Sequence, residues 1–286
     1  MAAALSWIAA GGAQAAGLAV RARSLAEGIY AAAFAVALYG LLNAVIPRTV
    51  RIAVNLPNLP AYWHGRTVAL VSDVHLGNIR GRAFVRHLVW RLQRRSPEAV
   101  FISGDMFDGT RLDAERAASP WGGLRPPSGM YFVSGNHDER GKRNLHVAAL
   151  ERTGIRVLHN EKIVVRGLQV IGVHDTETHR PELYARILRR AAIDPDCASL
   201  LLAHQPINLD VAEAAGISLQ VSGHTHGGQF WPWSLLARRV HGEFVYGLNR
   251  FGRLMIYTSS GAGTWGPPFR VGTRSEIVFL TLHPAA

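Results

Sequence analysis

From residue 67 onward, short apolar and β-branched runs alternate with polar loops, and segments of helical spacing lie between them. Runs at 67–71, 99–103 and 130–134 read as strands, as do 155–158, 163–165 and 168–173. So do 200–203, 219–222, 254–258 and 276–282. Residues 83–94 place Phe84, Leu88 and Leu92 on one helical face. Further helices are expected over 145–153, 180–192 and 209–215. Residues 109–129, with Pro120, Pro126, Pro127 and several glycines, read as a long loop. Strands alternating with helices, followed by more closely spaced strands, predict a layered α/β sandwich with mixed sheets.

The pattern before residue 47 is different. Residues 28–46 carry no charge and, at 1.5 Å per residue, would form a helix of about 28 Å, close to the hydrocarbon thickness of a bilayer. Pro47 stops that helix, and Arg48 and Arg51 come after it. Residues 1–20 are uncharged and rich in alanine and glycine, which fits a first hairpin helix, a flexible leader or part of a signal. No basic stretch precedes residue 20, and there is no twin-arginine pair. Three regions are expected: a membrane-anchor region at 1–47, with its main span at 28–46, a linker or entry strand at 48–65, and a catalytic domain at 66–286. Arg21 and Arg23 flank one side of the span and Arg48 and Arg51 the other, so the positive-inside rule does not orient it. The expected location is the cytoplasmic membrane of a bacterium, with the cytoplasmic side preferred for the domain.

Five polar clusters terminate the strand-like runs: Asp73-Val74-His75, Gly104-Asp105, Gly135-Asn136-His137-Asp138, Ala203-His204-Gln205 and Gly223-His224-Thr225-His226. Carboxylates, imidazoles and an amide are the donors that hold hard-to-borderline divalent metals. In extended backbone, residues i and i+2 point to the same side, so Asp73 and His75 are expected to reach one ion, and His224 and His226 repeat that geometry from another strand end. Asp105 follows a glycine that permits a sharp turn, and a carboxylate there can bridge two ions. Asn136 and His204 supply a further oxygen and nitrogen. Taken alone, Asp-X-His is common, and Gly-Asp or Gly-Asn-His-Asp is often a turn. The joint presence of all five in this order points to a dinuclear hydrolytic centre holding two divalent ions, Mn²⁺, Fe or Zn²⁺. Asp108 reads as a loop cap. His174 and Asp175 read as candidate cleft residues, and the remaining histidines, His241 among them, as surface or structural.

Composition narrows the picture. One cysteine in 286 residues excludes an internal disulfide and a thiolate zinc site. The net charge is +11, and Lys142 and Lys162 are the only lysines. Arg21, Arg23 and Glu27 are the only charges before residue 48, so the basic excess belongs to residues 48–286. It fits either a compositional bias or attraction to an anionic surface, acidic lipid or nucleic acid.

The ordered clusters resemble the calcineurin-like metallophosphoesterase superfamily over roughly residues 66–262. The resemblance implies a four-layer α/β/β/α sandwich with two mixed β-sheets, here preceded by an N-terminal transmembrane helix. It implies that Asp73, His75 and His226 hold one metal, that Asn136, His204 and His224 hold the other, and that Asp105 bridges them. His137 is then not a ligand but contacts the scissile phosphate, with Asp138 orienting it. Gly227-Gly228-Gln229 and the stretch Gly263-Thr264-Trp265-Gly266-Pro267-Pro268 resemble the membrane-associated bacterial branch. That branch includes phosphodiesterases and enzymes that split the pyrophosphate of UDP-2,3-diacylglucosamine in lipid A synthesis.

Phe230-Trp231-Pro232-Trp233-Ser234-Leu235-Leu236 comes after the histidine pair, either as a core loop or as an apolar rim for acyl chains or bilayer. The first expectation is a membrane-anchored phosphohydrolase with a phosphorylated, lipid-linked substrate. The alternatives are a nucleotide phosphodiesterase or nuclease, disfavoured because no aromatic-basic surface repeat appears, and a non-catalytic scaffold, disfavoured because no ligand is missing. Oligomeric state is not legible.

Overall fold

A computed structural model describes residues 3, 6, 22–108, 113–139 and 143–285. The expectations for residues 1–20 therefore lie almost wholly outside the described residues.

Helix α1 (Ala22–Val45) leads directly into strand β1 (Arg48–Leu56), then β2 (Thr67–Val71), helix α2 (Arg82–Gln93) and β3 (Val100–Ser103). A short helix α3 (Ala114–Ala118) occupies the segment expected to be loop and leads to β4 (Met130–Val133), α4 (Arg143–Glu151), β5 (Ile155–Val157), β6 (Glu161–Val165) and β7 (Leu168–Val173). Next come α5 (Asp175–Thr178), α6 (Pro181–Arg190), β8 (Ser199–Ala203), α7 (Leu209–Ala214) and β9 (Leu219–Ser222). Helix α8 (Trp233–His241) and strands β10 (Gly247–Phe251), β11 (Leu254–Thr258) and β12 (Glu276–Pro284) complete the order.

The strands form two six-stranded mixed sheets, ordered β1-β12-β2-β3-β4-β5 and β10-β11-β9-β8-β7-β6. Within the first, β2, β3, β4 and β5 run parallel, and β12 is antiparallel to β2. Arg48–Leu56 pairs along its whole length with β12, so the entry strand is the sheet's edge.

Strands buried on both faces explain the layering. In β2, Val68 and Leu70 pack between the sheets with Leu200, Leu202 and Val221. Ala69 and Val71 pack the other way, with Val85, Leu88 and Leu92 of α2 and with Trp121 and Leu150. In β7 and β8, Ile171, Val173 and Leu201 pack on Tyr184 and Leu188 of α6 and Ala212 of α7. The result is helix, sheet, sheet, helix. Near-continuous apolar runs are what strands buried on both faces need.

Helix α1 is long and apolar enough to cross a membrane, and only 17% of its most apolar window is buried. Its last two turns are clasped by the domain: the amides of Arg270 and Ser275 donate to the carbonyls of Gly40 and Asn43 (2.9 and 3.1 Å). Ser275 Oγ and Arg80 donate to the Ala44 carbonyl.

Leu202 lies wholly buried between the sheets. Leu202→Ala should cost about 2–5 kcal/mol, read as a lowered midpoint in denaturant unfolding of the detergent-solubilised chain.

Candidate metal centre

The five clusters converge where the carboxyl ends of β2, β3, β4, β8 and β9 meet, as expected for α/β sheets whose loops share one crevice. Backbone bonds stitch the loops together: Asp73 N donates to Gly104 O, His75 N to Asp105 O, and Gly223 N to His204 O, at 2.8–3.0 Å. The Asp73 carboxylate accepts the His224 amide (3.0 Å).

The extended i, i+2 geometry expected for the two pairs is not how they meet. Asp73 and His75 have φ of +52° and +50°, and His224 and His226 have +69° and +51°. Asp105 has φ of +52°. Each pair is thus two left-handed residues around one intervening residue; Asp73 and His75 face one donor set, while His226 joins that set and His224 turns to the other. Non-glycine residues in this region are strained and persist only where their surroundings over-determine them, commonly at functional sites. Glycines make the approach possible. A Cβ on Gly223 would collide with the Asp73 carboxylate, and one on Gly104, itself at φ +85°, with the His204 ring.

Three overlapping donor sets result, each with its ligand atoms within 4.8 Å of one another: Asp73, His75 and His226; His75, Asp105 and His137; and Asp105, His204 and His224. Asn136 Oδ1 lies 3.0 Å from His224 Nδ1, which adds it to the last set. Asp105 therefore stands between two clusters, in contact with His75 (3.7 Å) and His204 (3.2 Å).

The polar atoms fit a cation. His204 Nδ1 lies 2.8 Å from the Ser103 carbonyl and donates to it, which leaves Nε2 as the free nitrogen. That buried Nε2 faces the Asp105 carboxylate at 3.2 Å, the position from which either a proton or an ion can be held between them. His75 and His226 point their Nε2 atoms at each other across 3.1 Å. Such an arrangement of buried donors is costly unless something positive lies among them.

The electrostatics agree. Burial works to raise the Asp105 carboxyl, but the imidazoles of His204, His75 and His137 outweigh it and hold that carboxyl far below its usual range. Burial opposes protonation of His204, yet Asp105 and Asp73 overcome it and hold the imidazole well above its usual value. Burial, reinforced by His204, lowers His224 to about 3. Burial, with His75 and Arg270, keeps His226 neutral as well. Neutral imidazoles are ready ligands, whereas His204 must first give up a proton.

Asp138 acts on the backbone around His137. Its two carboxylate oxygens accept the Phe107 and Gly135 amides (both 2.9 Å), tying two of the loops together. Burial and the nearby Asp105 push its carboxyl up to about 7. The carboxylate beside His137 is Asp108, not the loop cap it resembles in sequence. It lies 3.2 Å from His137 Nδ1 and 3.5 Å from His75 Nδ1. These contacts, with His75 the strongest, hold its carboxyl at about 2. His174 does not face the donors. It bonds Ser134 (2.8 Å). Asp175 accepts from Gln205 (3.2 Å) behind His204.

Two further residues escape a reading of spacing. Arg270 is wholly buried and donates to the carbonyls of His226, Ser260 and Gly263, with a second contact to His226 Nδ1 (3.0 Å). It holds the last histidine from behind. His241 stands edge-on to His224, with ring centroids 6.2 Å apart. The only signal for Arg270 was a single arginine inside an apolar and proline-rich stretch.

A cavity of about 490 Å³ opens onto the centre. Asp105, Asn136, His137, His224 and His226 line one part, and Phe230, Trp233, Leu236, Val240 and Trp265 line the other. Gln229 fixes the Trp265 loop by a reciprocal pair of bonds to its backbone (2.8 and 2.9 Å). Residues 230–232 lead through a turn into α8, an exposed helix without a buried residue.

A two-sheet sandwich with a His/Asp cluster at its strand ends is the architecture of a metal-dependent phosphoesterase. The family model for calcineurin-like phosphoesterases matches residues 66–228, and the chain belongs to that family. It is 32% identical over 251 residues to an uncharacterized metallophosphoesterase of Campylobacter jejuni, covering 86% of this chain and 66% of the other. It is 34% identical over 272 residues to a transmembrane protein with metallophosphoesterase domain of Danio rerio, covering 87% and 60%. The chain therefore spans roughly three fifths to two thirds of the length of these relatives. Among solved structures, a 5'-nucleotidase precursor of Thermus thermophilus superposes with a TM-score of 0.46 at 14% identity, covering 76% of this chain and 54% of that one.

Asn136→Ala and Gly223→Ala should each weaken Mn²⁺ uptake by about 10–100-fold in a titration followed by metal analysis. The raised His204 sets the pH dependence. Its proton competes with the ion, so apparent metal affinity should fall as pH drops. Calorimetry in buffers of different ionisation enthalpy should show net proton release on metal binding near neutral pH.

Proposed function

We propose that the chain is a membrane-anchored phosphohydrolase that uses two divalent ions to cleave a phosphoester or pyrophosphate bond in a lipid-linked substrate such as UDP-2,3-diacylglucosamine. The observation that carries this reading is the shared cavity: metal-type donors form one wall and tryptophan, leucine and valine side chains the other. A pocket of that composition accepts a molecule that is phosphorylated at one end and apolar at the other. The exposed apolar surface of α1 supports the membrane side of the proposal, with Phe34 at 71% and Tyr30 and Tyr39 near one half.

Asp73, His75 and His226 would hold one ion and Asn136, His204 and His224 the other, with Asp105 between them. Such a pair, when bound, polarises the phosphoryl group and acidifies a water. The chain's own residues position and protonate. Asp108, ionised above about pH 2, accepts from His137 Nδ1 and so fixes its tautomer. His137 Nε2 is then the nitrogen available to donate to a phosphoryl or leaving-group oxygen. Asp138 keeps the His137 loop against the Phe107 loop. The wall formed by Phe230 and Trp233 excludes water from the apolar part of the substrate.

His137→Ala should leave metal content unchanged and lower turnover of an aryl phosphodiester by about 10²–10⁴-fold. Trp233→Ala with Leu236→Ala should raise KM for the acylated substrate in micelles and leave KM for a short soluble phosphodiester unchanged. Equal turnover of acylated and soluble substrates, indifferent to micelles, would refute the lipid-linked reading. Salt-sensitive cleavage of DNA or RNA would favour a nuclease instead.

A further inference from the structure

A second cavity, of about 480 Å³, lies where the end of α1 meets the domain. Tyr39 of α1, Arg48 of β1, Arg238 of α8 and Arg274, just before β12, all line it. Three guanidinium groups from separate segments thus share one concavity. Only one is neutralised: Arg48 bonds Glu276 (3.3 Å) and the Tyr246 hydroxyl. Among the described residues, neither Arg238 nor Arg274 has a carboxylate within ion-pair distance, and the side chains of both are exposed. The cavity therefore carries uncompensated positive charge.

Its position adds a second constraint. The domain clasps one face of α1 through Gly40, Asn43 and Ala44, while Leu41 and Leu42 on the other face stay exposed. The uncharged stretch of α1 before the clasp, 28–39, spans about 18 Å at 1.5 Å per residue, and the Arg23–Glu27 ion pair precedes it. Tyr39, the last residue before the clasp, lines the cavity and is an aromatic of the kind that meets lipid headgroups. Leu235, which shares the cavity, and Trp231 and Trp233 near it in sequence are each about 60% exposed. The cavity offers arginines to an anion and an apolar helix to whatever is attached to that anion.

We infer that this cavity binds the phosphate of an anionic glycerophospholipid, held by Arg238 and Arg274 with its glycerol end against Tyr39 and Leu235. A basic pocket beside a membrane helix is a site of this kind, and arginine matches phosphate by paired donors. The proposal rests on the membrane anchoring proposed above, concerns a site separate from the metal centre and does not depend on which substrate the latter cleaves.

The test is native mass spectrometry of the full chain in detergent, titrated with phosphatidylglycerol or phosphatidylcholine. One phosphatidylglycerol should bind, at least tenfold more tightly than phosphatidylcholine. Arg238→Ala with Arg274→Ala, both exposed positions, should weaken that binding by about 30-fold while metal content and activity toward a soluble phosphodiester stay unchanged. Equal affinity for the two lipids, or full binding by the double variant, would overturn the proposal. So would loss of lipid binding on chelation with EDTA, which would assign the lipid to the metals. Displacement of the lipid by millimolar inorganic phosphate would also overturn it, by showing a site for soluble phosphate.

Discussion

Asp105 is the constraint on which the structure turns. Its carboxylate is buried among His75, His204 and the His137 backbone, with Asp73 close by. Two buried acids and several imidazoles cannot all keep their ordinary protonation states in a space of that size. In the bare protein the conflict is relieved by a proton on His204 and by neutral His224 and His226. Cations relieve it better, because they answer both carboxylates at once. The five left-handed backbone positions and the glycines packed against the acids are the steric conditions for bringing these groups so close.

The sandwich exists, in functional terms, to hold five loop ends in register. Parallel neighbours β2, β3 and β4 bring three of them to one side, and β8 and β9 of the facing sheet bring the other two. The loops then hydrogen-bond to one another beyond the strands, so that none is free to move alone. Behind this framework, Arg270 ties His226 to the segment that also clasps α1. The metal donors and the end of the apolar helix thus share one stretch of chain.

Much of this was legible in the sequence. The strands could be read because both faces are buried, which gives apolar runs such as Thr67–Val71 and Leu168–Val173 with polar residues only at their ends. The donors could be read because they cluster at those ends. Their local geometry could not: Asp73 and His75 look like alternate residues of a strand, and only tertiary hydrogen bonds hold them in the left-handed region. Asp108 was misread because the partner that gives it a role, His137, comes from another loop. Arg270 has no near neighbour in sequence among the donors, so its place behind His226 depends entirely on the fold. Helix α8 was missed because its leucines and tryptophans are exposed, and an exposed apolar helix breaks the pattern by which helices of globular domains are recognised.

The clasp around Gly40, Asn43 and Ala44 makes α1 more than a leash. A helix bonded through its own carbonyls to the domain cannot swivel independently of it. Spanning helices adjust to thin or thick bilayers partly by leaning, so on the membrane anchoring proposed above any lean would rock the whole sandwich. The distance between the mouth of the active-site cleft and the lipid surface would then follow bilayer thickness, so the lipid composition of the host membrane could set how readily a substrate is reached.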